Sequence, residues 1–212
     1  MRWPRIQRTS SRTMAYRPPV AVFDACVLYP FHLRNLLIQC AFDGLVEARW
    51  TDDIHAEWMR NLAANSPNIP LARLEITRDK MKAVLPDADV VTHKALISSL
   101  SLPDPDDRHV LAAAIAGGAG MIVTWNLKDF PASHIAAHGT QAVAPDAFLS
   151  GLHKTQPEAL IDSVGRARQN LRRTAPSVEE FISTIEAQGL VDFASILRRQ
   201  KTRLSGKPIS RP

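Results

Sequence analysis

Little in this sequence marks it for a membrane, an oxidising compartment or a fibrous assembly. No run of 18 uncharged apolar residues occurs, which excludes a membrane-spanning helix. Cysteine is scarce. Cys26 and Cys40 are the two present, both in apolar surroundings and at no zinc-ligand spacing. Neither a disulfide framework nor a zinc centre is therefore expected, and a reducing, cytoplasmic compartment is. The opening MRWPRIQRTSSRTMAYRPP lacks an apolar segment of the length a secretory signal needs. Its Arg, Ser and Thr content is of the organellar-transit kind, but Met14 leads straight into a strand. Residues 1–17 are read as a basic, disordered or peripheral extension ahead of a start at Met14. Solenoid periods are absent too. With 45% apolar and 22% charged residues, the chain has enough material for a real core and too little charge for long-range disorder.

A uniform excess of one charge is also missing. The net charge of +5 is the sum of three unequal segments. Residues 1–17 hold five Arg and no acid, residues 18–150 hold ten basic against fifteen acidic residues, and residues 151–212 hold eleven against six. A uniformly basic nucleic-acid binder does not look like this, because its middle would not be acidic.

What is present is an alternation of strands and helices. VAVFD is a short apolar strand from Val20 with Asp24 at its carboxyl end. Apolar spacing predicts a helix over Phe31–Phe42, closed by Gly44. Thr51 caps the next helix, which has Asp52 and Asp53 in its first turn. Further helices are expected over Leu71–Val84 and 91–100. In LPDPDDRHVLAAAIAGG, Asp104 caps, Pro105 suits the first helical position, and Gly117 and Gly118 end the helix. MIVTWN and residues 141–144 read as strands. This order predicts an α/β fold with a parallel central sheet, right-handed crossovers and flanking helices. From about residue 154 only helical periodicity remains, over 157–171, 177–188 and 190–204. The expected organisation is the extension 1–17, an α/β domain over 18–153, and a basic helical extension over 154–212 with a frayed SGKPISRP tail.

The chemistry concentrates in carboxylates from separate segments. Ligands of parallel sheets gather beyond the carboxyl ends of the strands. Asp24 lies at one such end, and Asn126 and Asp129 lie just past another. Asp104, Asp106 and Asp107 open the helix before that second strand, and Glu57 sits mid-helix between apolar residues. Gathered on one edge, these acids repel unless a cation neutralises them, and oxygen-only ligation suits Mg²⁺ or Mn²⁺. Each acid also has a plain structural use. Asp104 is an N-cap, Asp106 complements the helix dipole, Asp107 suits a capping box, Asp129 caps the turn before Pro131, and Glu57 can be half-exposed. Asp24 is the exception, since a carboxylate directly after a buried strand needs a partner. His32, His55 and His109 are read as solvated or hydrogen-bonded surface histidines.

Taken in order, strand-Asp24, helix-Glu57, DPDDRHVLAAA and IVTWNLKDF resemble the PIN-domain ribonucleases over roughly residues 20–150. Within that family the pattern is most similar to VapC-type toxins with a helical C-terminal extension. The resemblance implies a PIN-like fold and a metal-dependent endoribonuclease. It places Asp24, Glu57, Asp107 and Asp129 at the catalytic site, with Asp104 a further candidate ligand of Mg²⁺ or Mn²⁺. Thr124 and Asn126 would support that site. Which of Asp104, Asp106 and Asp107 ligate stays open; spacing to the alanines favours Asp107. Asn126 stands where some relatives carry an acid. An RNA substrate, a cognate antitoxin and a homodimer are the implied partners.

Four other readings compete. An aspartyl-nucleophile phosphatase needs a second acid two residues after Asp24, where this chain has Cys26. A non-catalytic RNA-binding module would break the acidic cluster. A housekeeping RNA-processing nuclease differs in its genomic neighbours, not in its residues. A plain α/β protein whose acids only cap helices would not respond to divalent ions. Arg166, Arg168, Arg172 and Arg173 are expected to lie along one helical stretch, with 166 and 173 sharing a face. They are read as a candidate stripe guiding RNA toward the carboxylates, against a solvated helix or an antitoxin-docking face.

Overall fold

The computed structural model describes residues 16–205. Expectations for the opening extension and the final tail therefore lie outside the described residues, save for Tyr16, Arg17 and Ser205. Four parallel strands form one sheet in the order β2-β1-β3-β4: β1 (Val20–Phe23), β2 (Glu47–Arg49), β3 (Met121–Val123) and β4 (Gln141–Val143). Ala21, Val22, Phe23, Ile122 and Val123 have no exposure. Strands sealed on both faces need the uninterrupted apolar runs that β1 and β3 carry.

The register fixes the site. Phe23 lies opposite Val123, so the next residues, Asp24 and Thr124, emerge side by side. Asp24 N donates to Val123 O at 3.2 Å, and Thr124 N donates to Val143 O at 3.1 Å. The chain leaves β1 for β2 on one side while β3 lies on the other. Asp24 thus stands where strand order reverses, the place at which parallel sheets open a crevice.

Helices fill the connections: α1 (Ala25–Leu28), α2 (Phe31–Phe42), α3 (Asp52–Asn65), α4 (Leu71–Val84), α5 (Lys94–Ile97), α6 (Arg108–Ala116) and α7 (Ala132–Ile135). After β4 follow α8 (Pro145–Thr155), α9 (Pro157–Gln169), α10 (Val178–Ala187), α11 (Val191–Arg199) and α12 (Lys201–Ser205). Thr51 Oγ1 accepts from Ile54 N at 3.1 Å, so the expected cap on α3 is in place.

Several expectations are corrected. β2 is an additional edge strand whose pattern, exposed Glu47, buried Ala48 and half-buried Arg49, carries too little apolar signal to be read alone. The helix expected over 91–100 shrinks to α5, and just before it Trp50 forms a bridge with Asp89. Trp50 N donates to Ala88 O at 3.0 Å and Val90 N donates to Trp50 O at 2.9 Å. The turn Pro105–Asp107 is a 3-10 turn, and α6 begins only at Arg108. α8 begins at Pro145 itself, an additional helix beyond those expected. α9 ends at Gln169, so Arg172 and Arg173 lie in the turn beyond it and share no helical face with Arg166.

α9 is locked onto α2 by apolar packing and a polar network. Ser163 Oγ donates to Asp43 Oδ2 at 2.6 Å and Arg166 Nε to the same oxygen at 3.1 Å. Asn35 Nδ2 donates to Ala167 O at 2.8 Å, and Asn170 Nδ2 to Gln39 Oε1 at 2.9 Å. Phe23 of the sheet meets Phe148 of α8 edge-on at 6.2 Å between ring centroids. Leu160, Val164, Phe181, Ile182 and Phe193 are buried in the same apolar cluster as the sheet.

Candidate active site

Asp24 caps α1 while ending β1, and its carboxylate is 2% exposed. Oδ1 accepts from Ala25 N at 2.6 Å, and Oδ2 accepts from Thr124 Oγ1 at 2.6 Å. Thr124, fully buried, also accepts from Asn126 N at 2.9 Å. One hydroxyl therefore ties the strand-end acid to the loop that carries Asn126 and Asp129. Asn126 joins through its backbone.

Sequence reasoning missed two residues here. Cys26 Sγ donates to Asp24 Oδ2 at 3.1 Å, lies 3.3 Å from Thr124 Oγ1, and accepts from Trp125 N at 3.3 Å. Burial and the Asp24 charge push its thiol up to about 12, so it is a neutral hydrogen-bonding group. Its position two residues after Asp24 was a legible signal. Arg34 is buried, stacks 4.7 Å over Trp58 and donates to the Leu28 and Tyr29 carbonyls at the end of α1. A cation there satisfies carbonyls that a four-residue helix leaves open. Burial lowers it to about 10, which leaves it charged at neutral pH.

The acids share one electrostatic field. Burial raises Asp107 to about 7, assisted by the charges of Asp24, Asp104, Asp129 and Glu57. Burial also raises Asp24, and Glu57 adds to it, against hydrogen bonds from Thr124, Cys26 and Ala25. Asp104 Oδ1 accepts from Asp106 N at 2.9 Å, so the expected cap is present although Asp104 also contributes to the field at Asp107. His109 is not a surface histidine: its Nε2 stands 3.4 Å from Glu57 Oε2, an ion-pair distance without hydrogen-bond geometry. Burial lowers this imidazole, but Glu57, the Asp106 carbonyl and Asp24 outweigh burial and raise it. His55 is likewise corrected to a core residue, fully buried and accepting from Trp58 Nε1 at 2.9 Å. His32 is partly buried against Phe31 and Phe181.

Among the described residues, no group of three or more His, Cys, Asp or Glu side chains is drawn together in metal-holding geometry. The donor chemistry nevertheless fits a hard divalent cation, since carboxylate oxygens dominate the edge and burial, with the charges of the neighbouring acids, raises Asp107. Arg166 and Arg168, expected on an RNA-facing stripe, have internal partners. Arg166 pairs with Asp43 at 3.0 Å, and Arg168 donates to Pro176 O at 2.9 Å. Arg172 and Arg173 are exposed.

A parallel α/β sheet with a buried strand-end Asp and further acids on the same edge defines a class of acidic-site proteins. Residues 20–128 match the PIN domain, and residues 145–199 match the VapC50 C-terminal domain. The chain belongs to the PIN-domain family. It is similar to a Mycobacterium tuberculosis protein named "Putative ribonuclease VapC50", with 51% identity over 43 residues, 20% of this chain. That match spans 25% of the relative's length. No solved structure matches. No helix of the described residues is long and apolar enough to cross a membrane.

Proposed function

We propose that this chain is a divalent-metal-dependent endoribonuclease hydrolysing RNA phosphodiester bonds, and the toxin of a type II toxin–antitoxin pair. The observation that carries this reading is Asp107, raised to about 7 first by burial and then by the charges of Asp24, Asp104, Asp129 and Glu57. Acids that only cap helices have no reason to share a field. The VapC50 match at the C-terminal helices supports the toxin assignment over a housekeeping nuclease. The nuclease domain is read as residues 18–153, followed by a helical basic segment over 154–212.

Asp24, Glu57, Asp107 and Asp129 would hold one or two Mg²⁺ or Mn²⁺ ions, with Asp104 beside them. A bound divalent ion supplies Lewis acidity, acidifying water and screening the charge that builds on phosphorus. The protein's own part is orientation. The Ala25 amide and Thr124 hydroxyl hold both Asp24 oxygens in place, and the same hydroxyl holds the Asn126 backbone. Asp107, raised to about 7, would hold such an ion as the carboxylate. No group here needs the RNA 2′-hydroxyl as nucleophile, so cleavage leaves 5′-phosphate and 3′-hydroxyl ends. The remaining partners are a cognate antitoxin and a second copy of the chain, met through helices of the nuclease domain, in the cytoplasm.

The test is RNA cleavage by purified protein with Mg²⁺ or Mn²⁺, with and without chelator, beside Asp24→Asn. Cleavage should need the ion and fall by orders of magnitude in the folded variant. Induced expression should arrest growth for the wild type only. Wild-type turnover by Asp24→Asn, or cyclic 2′,3′-phosphate ends, would overturn the assignment.

A further inference from the structure

The connection between α10 and α11 is built beyond what ending a helix requires. Gly189, at φ +89°, closes α10 in a left-handed cap: Gly189 N donates to Glu186 O at 2.8 Å and Leu190 N to Ile185 O at 3.4 Å. That cap explains the positive φ and nothing more. Three further contacts point at the sheet's carboxyl edge. Gln188 Oε1 accepts from Leu33 N at 3.1 Å, in the first turn of α2, whose own N-cap, Pro30, offers no side chain. Gly189 lies against the Trp125 indole so closely that a Cβ would sit 3.2 Å from Cη2 and 3.7 Å from Cζ3. Asp146, at the start of α8 just beyond β4, accepts from Asp192 N at 3.0 Å and Phe193 N at 2.8 Å, capping α11.

The turn and the first residues of α11 together touch the segments that follow β1, β3 and β4. Two of them carry the site: Asp24 begins the connection that runs through α1 into α2, and Thr124, Asn126 and Asp129 flank Trp125. From Trp125 the path to the acid is short, because Trp125 N donates to Cys26 Sγ at 3.3 Å and Cys26 donates to Asp24 Oδ2 at 3.1 Å.

We propose that the Gln188 and Gly189 turn is a positioning element of the carboxylate site, acting through the Trp125 ring on the Cys26–Asp24 contact. The bare Cα of Gly189 sets how near the indole may come. The C-terminal helices accordingly hold the two site-bearing loops in register. The proposal rests on the nuclease reading for its consequence in catalysis, but its structural core is measurable without activity.

Cys26 is the reporter, since its half-buried thiol gains access as its contacts open, and fully buried Cys40 serves as internal reference. Iodoacetamide labelling of the metal-free full chain, read by peptide mass, would compare wild type, Gly189→Ala, Trp125→Phe and the double variant. Glu186→Gln, which breaks the α10–α11 ion pair with Arg198 (2.5 Å) away from Trp125, is the stability control. Gly189→Ala should speed Cys26 labelling several-fold beyond any control matched for loss of urea midpoint. That excess should shrink with Trp125→Phe, because backbone strain at position 189 is common to both backgrounds and cancels. RNA turnover should fall in kcat with KM little changed. Cys26 labelling that moves no more than in Glu186→Gln, or equally in both backgrounds, overturns the proposal. Should Gly189→Ala not fold, Gln188→Ala tests the other anchor by the same labelling and by faster amide exchange at Leu33, and unchanged values there overturn it too. A wild type that labels as expected yet cleaves no RNA would sink the nuclease reading and leave the positioning intact.

Discussion

Asp107→Asn should make the metal-free protein more stable while abolishing its nuclease activity. The folded carboxyl is raised from 3.8 to about 7, chiefly by burial and then by Asp24, Asp104, Asp129 and Glu57. Taken whole, that displacement corresponds to about 4 kcal/mol. Asp107 is only half-buried, so solvent screening reduces it to about 1–2 kcal/mol. Because the folded state binds this proton more tightly than the unfolded state, the penalty is absent below about 3.8, grows as pH rises, and is complete above about 7.

Asparagine has nearly the same shape and no charge, so it removes the penalty. The measurement is the difference in thermal midpoint between variant and wild type across pH, with chelator. At about 2–4 °C per kcal/mol for a domain of this size, the variant should melt several degrees higher above neutrality. The gap should close toward pH 4. Divalent ions should narrow it as well, by stabilising the wild type through binding to the folded state. A helix-capping acid behaves in the opposite sense, since its removal destabilises at neutral pH. A variant no more stable than wild type above neutrality, or a gap indifferent to pH, would refute the shared-field argument.

Other perturbations separate roles within the same structure. Asp104→Ala should lower stability by about 1 kcal/mol through the lost cap to Asp106 N, and leave most cleavage activity; loss of activity in a stable protein would promote Asp104 to an essential ligand. Arg172→Gln with Arg173→Gln should weaken RNA binding and flatten its salt dependence, whereas Arg166→Gln should chiefly lower the urea midpoint by unpairing Asp43. Equal effects of the two sets on RNA affinity would remove the distinction. Burial holds the His55 imidazole down at about 3, so the folded protein should lose stability as pH falls from 6.5 toward 3, by about 2 kcal/mol near pH 5. Comparing wild type with His55→Phe isolates this loss, because Asp107 acts in the opposite sense over the same range, and identical acid profiles would contradict it.

What the sequence disclosed and what it hid divide along a physical line. Features encoded within a few residues were legible: the apolar run of β1 ending in Asp24, the Thr51 cap, α4 over Leu71–Val84, and the Asp104 cap. The acids were legible in order because a parallel sheet sends its strand ends to one edge, and Asp24 meets Thr124 there by register. Features depending on a distant partner were not. β2 exists because β1 offers it an edge, and the bridge at Asp89 exists because Trp50 lies beside it. The shared face expected of Arg166 and Arg173 failed for the same reason. Spacing placed residues 166 and 173 on a shared face, but the helix stops at Gln169 and Asp43 claims Arg166. His55 carries no local mark of the Trp50 and Trp58 rings that enclose it.

The structure treats its charges in two ways, and the contrast bears on function. Along α2 and α9, Asp43 meets Arg166, Ser163 and Gln39, so three donors converge on one oxygen of a partly buried carboxylate. At the start of α6, Asp107 instead sits in the field of Asp24, Asp104, Asp129 and Glu57, and burial first and that field second raise it to about 7. A fold able to neutralise one acid so thoroughly is not short of cations: Arg34 is spent on the carbonyls of α1, and Arg198 on Glu186, while the acidic edge has only His109 beside Glu57 among these contacts. Unanswered repulsion must be borne by surrounding packing, since marginally stable domains hold only about 5–15 kcal/mol in reserve. That packing is supplied by the sheet and by the C-terminal helices. The buried Phe23 and Val123 steer the acids from below, and α9 on α2, with Gly189 on Trp125, closes the assembly from above. Rigid apolar support beneath a self-repelling oxygen edge is the arrangement a cation-dependent site requires.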